Sequence, residues 1–166
     1  MTLFWFVLFS FAVVILLTFS FVIMFGAPFL PTLNKQVEPA LDLLNLKAGE
    51  RLLELGSGDG RILKAAAQRG IYCTGYELNP LLVIVSMFRC LKYRKYVTVV
   101  WGSYWTKTWP PADGIFTFLL NPYMPRLDKT LQAYAHKPVK LVSFAFKIPG
   151  KTVAKERQGL FLYNYK

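Results

Sequence analysis

Acidic side chains are scarce in this chain. It has 9 Asp and Glu in 166 residues against 20 Lys and Arg, a formal net charge of +11. That balance favours anionic partners, such as the headgroups of a lipid surface. No nucleic acid is expected as a partner, because no nucleic-acid recognition motif accompanies the charge. Cysteine is nearly absent too. The two present, Cys73 in an apolar strand-like run and Cys90 in a helix-like run, exclude a disulfide framework and a thiolate metal cluster. Both read as buried, reduced packing residues, as in a reducing compartment. There is one histidine, His136, beside Lys137 at the end of an expected helix, where a cationic side chain acts as a cap rather than as a base. No metal site is expected. No internal repeat and no low-complexity segment occurs.

Charge is missing altogether from Leu3 to Phe25, a run of mostly Phe, Leu, Val and Ile. As a helix this run spans roughly 34 Å at about 1.5 Å per residue, enough for a hydrocarbon core of roughly 30 Å. A cleaved signal peptide would have a positive start, a shorter apolar stretch and a small-x-small cleavage site. None of these is present, and a helix apolar on every face suits lipid better than a core. The run therefore predicts a single transmembrane helix that contacts membrane lipid. The first basic residue after it, Lys35, favours the cytoplasmic or matrix-equivalent side for the rest of the chain. Residues 1–27 are expected to form the anchor, 28–49 a lead-in segment and first helix, and 50–166 one globular domain.

Within that domain, apolar strand-like runs alternate with helix-like ones. Strands are expected at Arg51–Leu55, Ile71–Tyr76, Val97–Val100, Gly114–Leu120 and Val139–Phe146. Helices are expected at about Thr32–Leu46, Gly60–Arg69, Asn79–Arg94 and Arg126–Ala135. Asn79 caps the third of these, with Pro80 in its first turn. The tail has room for one or two strands, the clearest being Leu160–Tyr165. Such alternation predicts an α/β fold, a Rossmann-like and mostly parallel sheet with flanking helices.

Between the first strand and its helix lies Glu54-Leu55-Gly56-Ser57-Gly58-Asp59-Gly60-Arg61. Strand, glycine-rich turn and helix together form a nucleotide-binding unit, in which backbone turns tightly and a ligand approaches closely. A dinucleotide fingerprint would place its third glycine at 61, where this chain has Arg61. Glu77 ends the next strand about 20 residues on, where a carboxylate accepts hydrogen bonds from a ribose diol. In parallel sheets ligands sit at the carboxyl ends of strands. The glycine turn, Glu77, Gly102–Trp105 and Asn121–Tyr123 are thus expected to share one cleft.

The motifs ELGSGDGR and YELNP resemble the first and second motifs of class I S-adenosylmethionine-dependent methyltransferases, over about residues 50–146. The resemblance implies S-adenosyl-L-methionine as cofactor. Glu54, Gly56, Ser57, Gly58 and Gly60 would cradle its methionine part, Glu77 its ribose, and the segment around Ser103 its adenine. Ala27-Pro28-Phe29-Leu30-Pro31-Thr32, GSGDGR and Ser103-Tyr104-Trp105 together resemble a narrower group. These are the small membrane-anchored protein-lysine methyltransferases that act on the ATP synthase c-subunit and the adenine nucleotide carrier. That likeness implies N-methylation of a lysine on a membrane-protein substrate. Two features depart from the pattern: Ser103 stands where the group has an acidic residue, and the tail is short for the usual closing hairpin. Asn121-Pro122-Tyr123 resembles the (D/N)PP(Y/F) motif of amine methyltransferases, which makes Asn121 and Tyr123 the candidate catalytic residues. The same three residues also make an ordinary turn opening a helix. A nicotinamide-dependent oxidoreductase and a non-catalytic membrane scaffold are the alternatives.

Overall fold

The computed structural model describes residues 1–25, 32–134, 136 and 138–166, and within the first helix the side chains of 1–17 and 20. The Ala27–Pro31 part of the lead-in motif lies outside the described residues, as do Ala135 and Lys137. Helix α1 covers Thr2–Phe25. Among the described residues no helix is long and apolar enough to cross a membrane. The run expected to span a membrane forms a helix, and the structure does not establish it as a crossing.

The rest is one sheet covered on both faces. Its strands are β1 (Arg51–Leu55), β2 (Tyr72–Glu77), β3 (Val97–Trp101), β4 (Gly114–Thr117), β5 (Val139–Phe144), β6 (Lys155–Arg157) and β7 (Leu160–Tyr165), in the order β3-β2-β1-β4-β5-β7-β6. The first five run parallel; β7 lies antiparallel to both β5 and β6. The closing hairpin is thus present, against the expectation of a tail too short for it. β6 escapes sequence reading because its three residues are all charged and exposed; it is held by backbone pairing to β7 and by surface ion pairs of Glu156 with Lys147 and Arg157 with Asp42.

Side chains alternate across the sheet as the pleat requires. Leu52, Phe116 and Val142 face α2 (Asn34–Leu44) and α3 (Arg61–Gln68), together with Cys73, which is buried and free as expected. Val37, Leu41 and Leu44 of α2 turn inward here, again as expected. Leu53, Leu55, Ile115 and Leu141 face the other way, onto Met124, Leu127 and Leu131 of α5 (Met124–Gln132). Helix α4 (Pro80–Cys90) starts at the Asn79 cap, whose side chain accepts the Leu81 N–H at 2.9 Å. It passes into a 3₁₀ turn at Leu91–Tyr93, so the expected helix to Arg94 ends early. Helix α5 also ends short, at Gln132. His136 is not its cap; the ring instead packs edge-on against Tyr134, 5.4 Å away.

On the α5 face, the Trp- and Pro-rich loop after β3 packs where a crossover helix would otherwise lie. Its backbone carbonyls need donors, and aromatic side chains supply them. Trp109 Nε1 donates to Tyr104 O at 2.8 Å, Tyr76 OH to Thr108 O at 3.1 Å, and Tyr134 OH to Pro110 O at 2.6 Å. The Trp109 ring itself is buried in the core.

Helix α3 approaches the sheet closely at Gly75. A Cβ there would meet Leu63 Cδ1 at 2.6 Å and Ser57 Cβ at 2.8 Å. Gly75→Ala is expected to force both aside and to lower stability by about 1–3 kcal/mol, the usual cost of overpacking. A urea titration checks this through the midpoint; an unchanged midpoint contradicts the close approach.

Candidate active site

The site forms where the carboxyl ends of β1, β2, β3 and β4 meet. The turn after β1 is possible because Gly56, Gly58 and Gly60 adopt φ of 83°, 54° and 77°, which side chains with a Cβ avoid. Main chain binds the strand ends together. Gly56 and Ser57 N–H donate to Tyr76 O at 3.0 and 2.9 Å, and Gly102 N–H donates to Glu77 O at 2.8 Å. Thr117 Oγ1 donates to Leu55 O at 3.2 Å.

Glu77 is buried and accepts two backbone donors, Gly58 N–H on one oxygen and Asn79 N–H on the other, each at 2.8 Å. One carboxylate thus holds the glycine turn and the start of α4 in register. Each oxygen keeps a further lone pair for a ligand hydroxyl. Burial raises its pKa, and the N–H groups of Asn79, Gly58 and Leu78 draw it back.

Glu54 does not face the cleft opening. It lies buried on the α3 side of β1, with Oε2 unpartnered. Burial, then the charges of Asp59 and Glu77, push its carboxyl well above the ordinary range, against the smaller pull of Arg61 and the Leu63 N–H. Ser57 Oγ and Asn79 Nδ2 are also buried without partners. By contrast, the Cβ direction of Gly56 opens onto empty space. A bare glycine at the mouth of the turn, beside a Glu77 carboxylate with lone pairs to spare, fits a ligand that carries hydroxyl groups.

Asp59 and Arg61 do more than the motif alone implies. Their side chains pair at 2.7 Å, and Arg89 joins Asp59 at 3.0 Å. Burial alone would raise Asp59, but the hydrogen bond from Arg61 and the charges of Arg61 and Arg89 outweigh it and hold its carboxyl low. Arg61 Nη1 also donates to Thr32 O at 2.6 Å and to Asn34 Oδ1 at 3.1 Å. The residue in place of a third dinucleotide glycine therefore ties the start of α2 to the glycine turn.

The far wall is aromatic. Tyr104 and Trp105 form the first part of a 3₁₀ turn, with ring centroids 4.8 Å apart. Arg126 stacks over the Trp105 ring at 4.2 Å. Burial, then the neighbouring Tyr123 and Glu77, push the Tyr104 hydroxyl up, with Arg126 opposing. Tyr104 and Tyr123 pack against the same core cluster on the α5 side of the sheet. Asn121, Pro122 and Tyr123 form a 3₁₀ turn leading into α5, with Asn121 exposed. The turn role expected of these three residues is what they perform in the backbone. Ser103 Oγ accepts the Trp105 N–H at 3.3 Å and so caps its own turn.

A glutamate with a raised folded pKa keeps its proton longer in the folded chain than in the unfolded one. Its effect on stability is absent below the unfolded value, about 4.3, and becomes unfavourable as pH rises towards the folded value. Glu54→Gln removes that penalty and keeps an oxygen for the Leu63 N–H. Its melting temperature relative to the parent is expected to rise between pH 4 and pH 7.5. A pH-independent difference by calorimetry contradicts a proton-holding Glu54.

A family model described as the ANTKMT methyltransferase domain matches residues 54–155. The ATP synthase c-subunit lysine N-methyltransferase of Mus musculus is 35% identical over 129 residues, 74% of this chain and 50% of that protein. The adenine nucleotide translocase lysine N-methyltransferase of Mus musculus is 32% identical over 125 residues, 74% of this chain and 54% of that protein. This chain therefore spans about half the length of the curated relatives it matches. A solved RNA methyltransferase from Salinibacter ruber, in complex with S-adenosyl-L-homocysteine, has a TM-score of 0.74 at 24% identity, covering 82% of this chain and 92% of that one. A methyltransferase from Thiobacillus denitrificans with the same ligand has a TM-score of 0.59 at 23% identity, covering 74% and 53%. The structural likenesses carry the Rossmann-like methyltransferase fold, and the family match goes further: the chain belongs to the ANTKMT methyltransferase domain family, within the class I S-adenosylmethionine-dependent methyltransferases.

Proposed function

We propose that this chain is an S-adenosylmethionine-dependent methyltransferase that N-methylates a lysine of a membrane protein, held at the membrane by α1. The observation that carries the reading is the cradle at the ends of β1 and β2. There a Gly56 open to space stands beside a doubly held Glu77 with lone pairs to spare. The lysine acceptor is supported by relatives named for lysine N-methylation of the ATP synthase c-subunit and of the adenine nucleotide translocase.

In this reading, backbone at Gly56, Ser57, Gly58 and Gly60 holds the methionine part of the cofactor. Glu77 takes the ribose hydroxyls, and the turn at Ser103 flanks the adenine through backbone and ring edges. Glu54 supports the cradle from beneath. The bound cofactor supplies an electrophilic methyl on a sulfonium. The chain aligns an amine with that methyl and keeps the amine neutral. Tyr104, Trp105 and Tyr123 make a partly dry aromatic wall, which favours the uncharged lysine and attracts the methylated ammonium product. Asn121, at the cleft edge, accepts from the amine and turns its lone pair inward.

Helix α1 carries no charged residue over Thr2–Phe25. At about 1.5 Å per residue it reaches further than a hydrocarbon core of roughly 30 Å. Lys35 following it favours the cytoplasmic or matrix-equivalent side for the domain. The oxidoreductase alternative loses its ground with Arg61, which is engaged by Asp59 and Thr32 where the dinucleotide turn needs a glycine. The completed β6–β7 hairpin removes the main argument for a degenerate scaffold.

Gly56→Asn separates folding from cofactor binding. Asn tolerates a left-handed backbone, but its side chain fills the open mouth. The full chain in detergent is expected to melt later with S-adenosylhomocysteine and not with NAD. Gly56→Asn should lower its own stability only by the strain of a side chain at φ 83°, about 1–2 kcal/mol, while losing at least about tenfold in ligand affinity, or about 1.4 kcal/mol. Membranes incubated with radiolabelled cofactor are expected to show label on lysine of a small membrane protein. Absence of any thermal shift at millimolar ligand overturns the cofactor assignment. Release of the chain from membranes by alkaline carbonate overturns the anchor.

A further inference from the structure

Helix α4 has two apolar faces, and the fold uses one of them. Leu82, Val83, Ser86 and Cys90 are buried against the sheet and α3. Ile84, Met87, Phe88 and Leu91 recur at i, i+3, i+4 and i+7, the spacing of a helix face built to be covered. They are instead open to solvent, from 50% exposed at Ile84 to 74% at Phe88.

The stripe continues onto the sheet. Strand β3 is an edge strand that pairs only with β2 among the described residues. Val97, Val99 and Trp101 share its α4-facing side, since alternate residues of a strand point the same way. Val97 and Val99 line a groove of about 500 Å³ with the α4 stripe. Trp101 extends the stripe towards the catalytic cleft. Its indole N–H is fixed to Leu78 O at 3.1 Å, and the residue is 64% exposed. Contiguous exposed apolar surface of this kind marks an interaction site.

Charge identifies the occupant. Between Leu78 and Ala112 there is no Asp or Glu. Lys92, Arg94 and Lys95 follow the apolar stripe directly and are exposed, and Arg94 forms part of the groove lip. A helix with Phe and Leu on one face, cations at its margin and a Trp at the border suits the interface of an anionic bilayer.

We propose that the α4–β3 edge is a docking surface for an anionic lipid bilayer. Phe88, Leu91, Met87 and Trp101 enter the headgroup region, and Lys92, Arg94 and Lys95 contact lipid phosphates. It extends the membrane reading and relies on α1 only to bring the domain to the bilayer. Docking by this edge fixes the domain's orientation, with the mouth beside Trp101 lying close to the membrane surface. A substrate lysine at the bilayer boundary is thereby within reach of the aromatic wall, and one far out in the aqueous phase is not.

The test is depth measurement in the full chain reconstituted in lipid nanodiscs that contain no other protein. A nitroxide is placed by Phe88→Cys, by Glu156→Cys on the opposite sheet edge, or by Phe9→Cys in α1; unlabelled parent controls for reaction at the buried Cys73 and Cys90. In discs containing phosphatidylglycerol, the label at 88 is expected to lose most of its access to a water-soluble nickel complex and to gain access to oxygen, while that at 156 stays aqueous. Replacing Lys92, Arg94 and Lys95 by Gln, or using phosphatidylcholine alone, is expected to restore nickel access at 88. An aqueous label at 88 beside a lipid-buried label at 9 overturns the docking surface alone and leaves the groove to a protein partner. An aqueous label at 9 overturns the anchor, with position 88 still read independently. Depth at 88 that ignores both lipid charge and the three Gln substitutions overturns the anionic assignment.

Discussion

The active-site end of the fold depends on the carboxylate of Glu77. A buried carboxylate is costly unless hydrogen-bonded, and this one is satisfied by two backbone N–H groups from different elements, Gly58 and Asn79. Its own carbonyl accepts from Gly102 after the third strand. Three connections that would otherwise be independent surface loops are therefore pinned to one residue. The glycine turn gains a fixed shape, α4 gains a fixed start, and the Trp-rich loop leaves its strand in a set direction. The proposed ligand-facing role of Glu77 would use the lone pairs left over from this structural one.

Around it, charge is distributed unevenly. Glu54, Asp59 and Glu77 are buried together beneath the glycine turn. Arg61 and Arg89 balance Asp59, while Glu54 makes no salt bridge among the described residues and burial pushes its carboxyl well above the ordinary range. Three of the 9 acidic residues are thus withdrawn into the interior, one of them together with Arg61 and Arg89. In the proposed membrane docking, the attraction for anionic lipid comes from the exposed cations after the α4 stripe, with no acidic residue between Leu78 and Ala112. The apolar α4 stripe and its following cations lie where that attraction has geometry as well as sign.

Most of the sheet is legible in the sequence because both of its faces are covered. Mostly apolar runs such as Leu52–Leu55 and Val139–Val142, each broken by a single charged residue, Glu54 and Lys140, are what a doubly packed parallel strand requires. Strand β6 is not legible, because three charged residues paired through backbone carry no pattern. The true ends of α4 and α5 are hidden for a different reason: the apolar run into Leu91 continues the helical spacing while the chain tightens into a 3₁₀ turn. In the site, the spacing alone picks out Gly56, Gly58, Gly60 and Glu77. Asp59 and Arg61 stand in the same motif, yet their role does not show there, since their partners Arg89 and Thr32 lie far off in sequence.

The sequence by itself determined the glycine turn, the carboxylate one strand later, the alternation of the five parallel strands with their helices, and the uncharged first helix. Each is a local property of spacing or composition. Tertiary structure alone decided which side chains share a space. It set Glu54 under the turn rather than in the cleft, and it joined Arg61 to the start of α2. It made Ser103 a cap, brought Tyr104 beside Tyr123, and left one apolar face of α4 uncovered. Those outcomes depend on which elements neighbour one another across the sheet, and chain-distant packing leaves no periodic trace in the residues that make it.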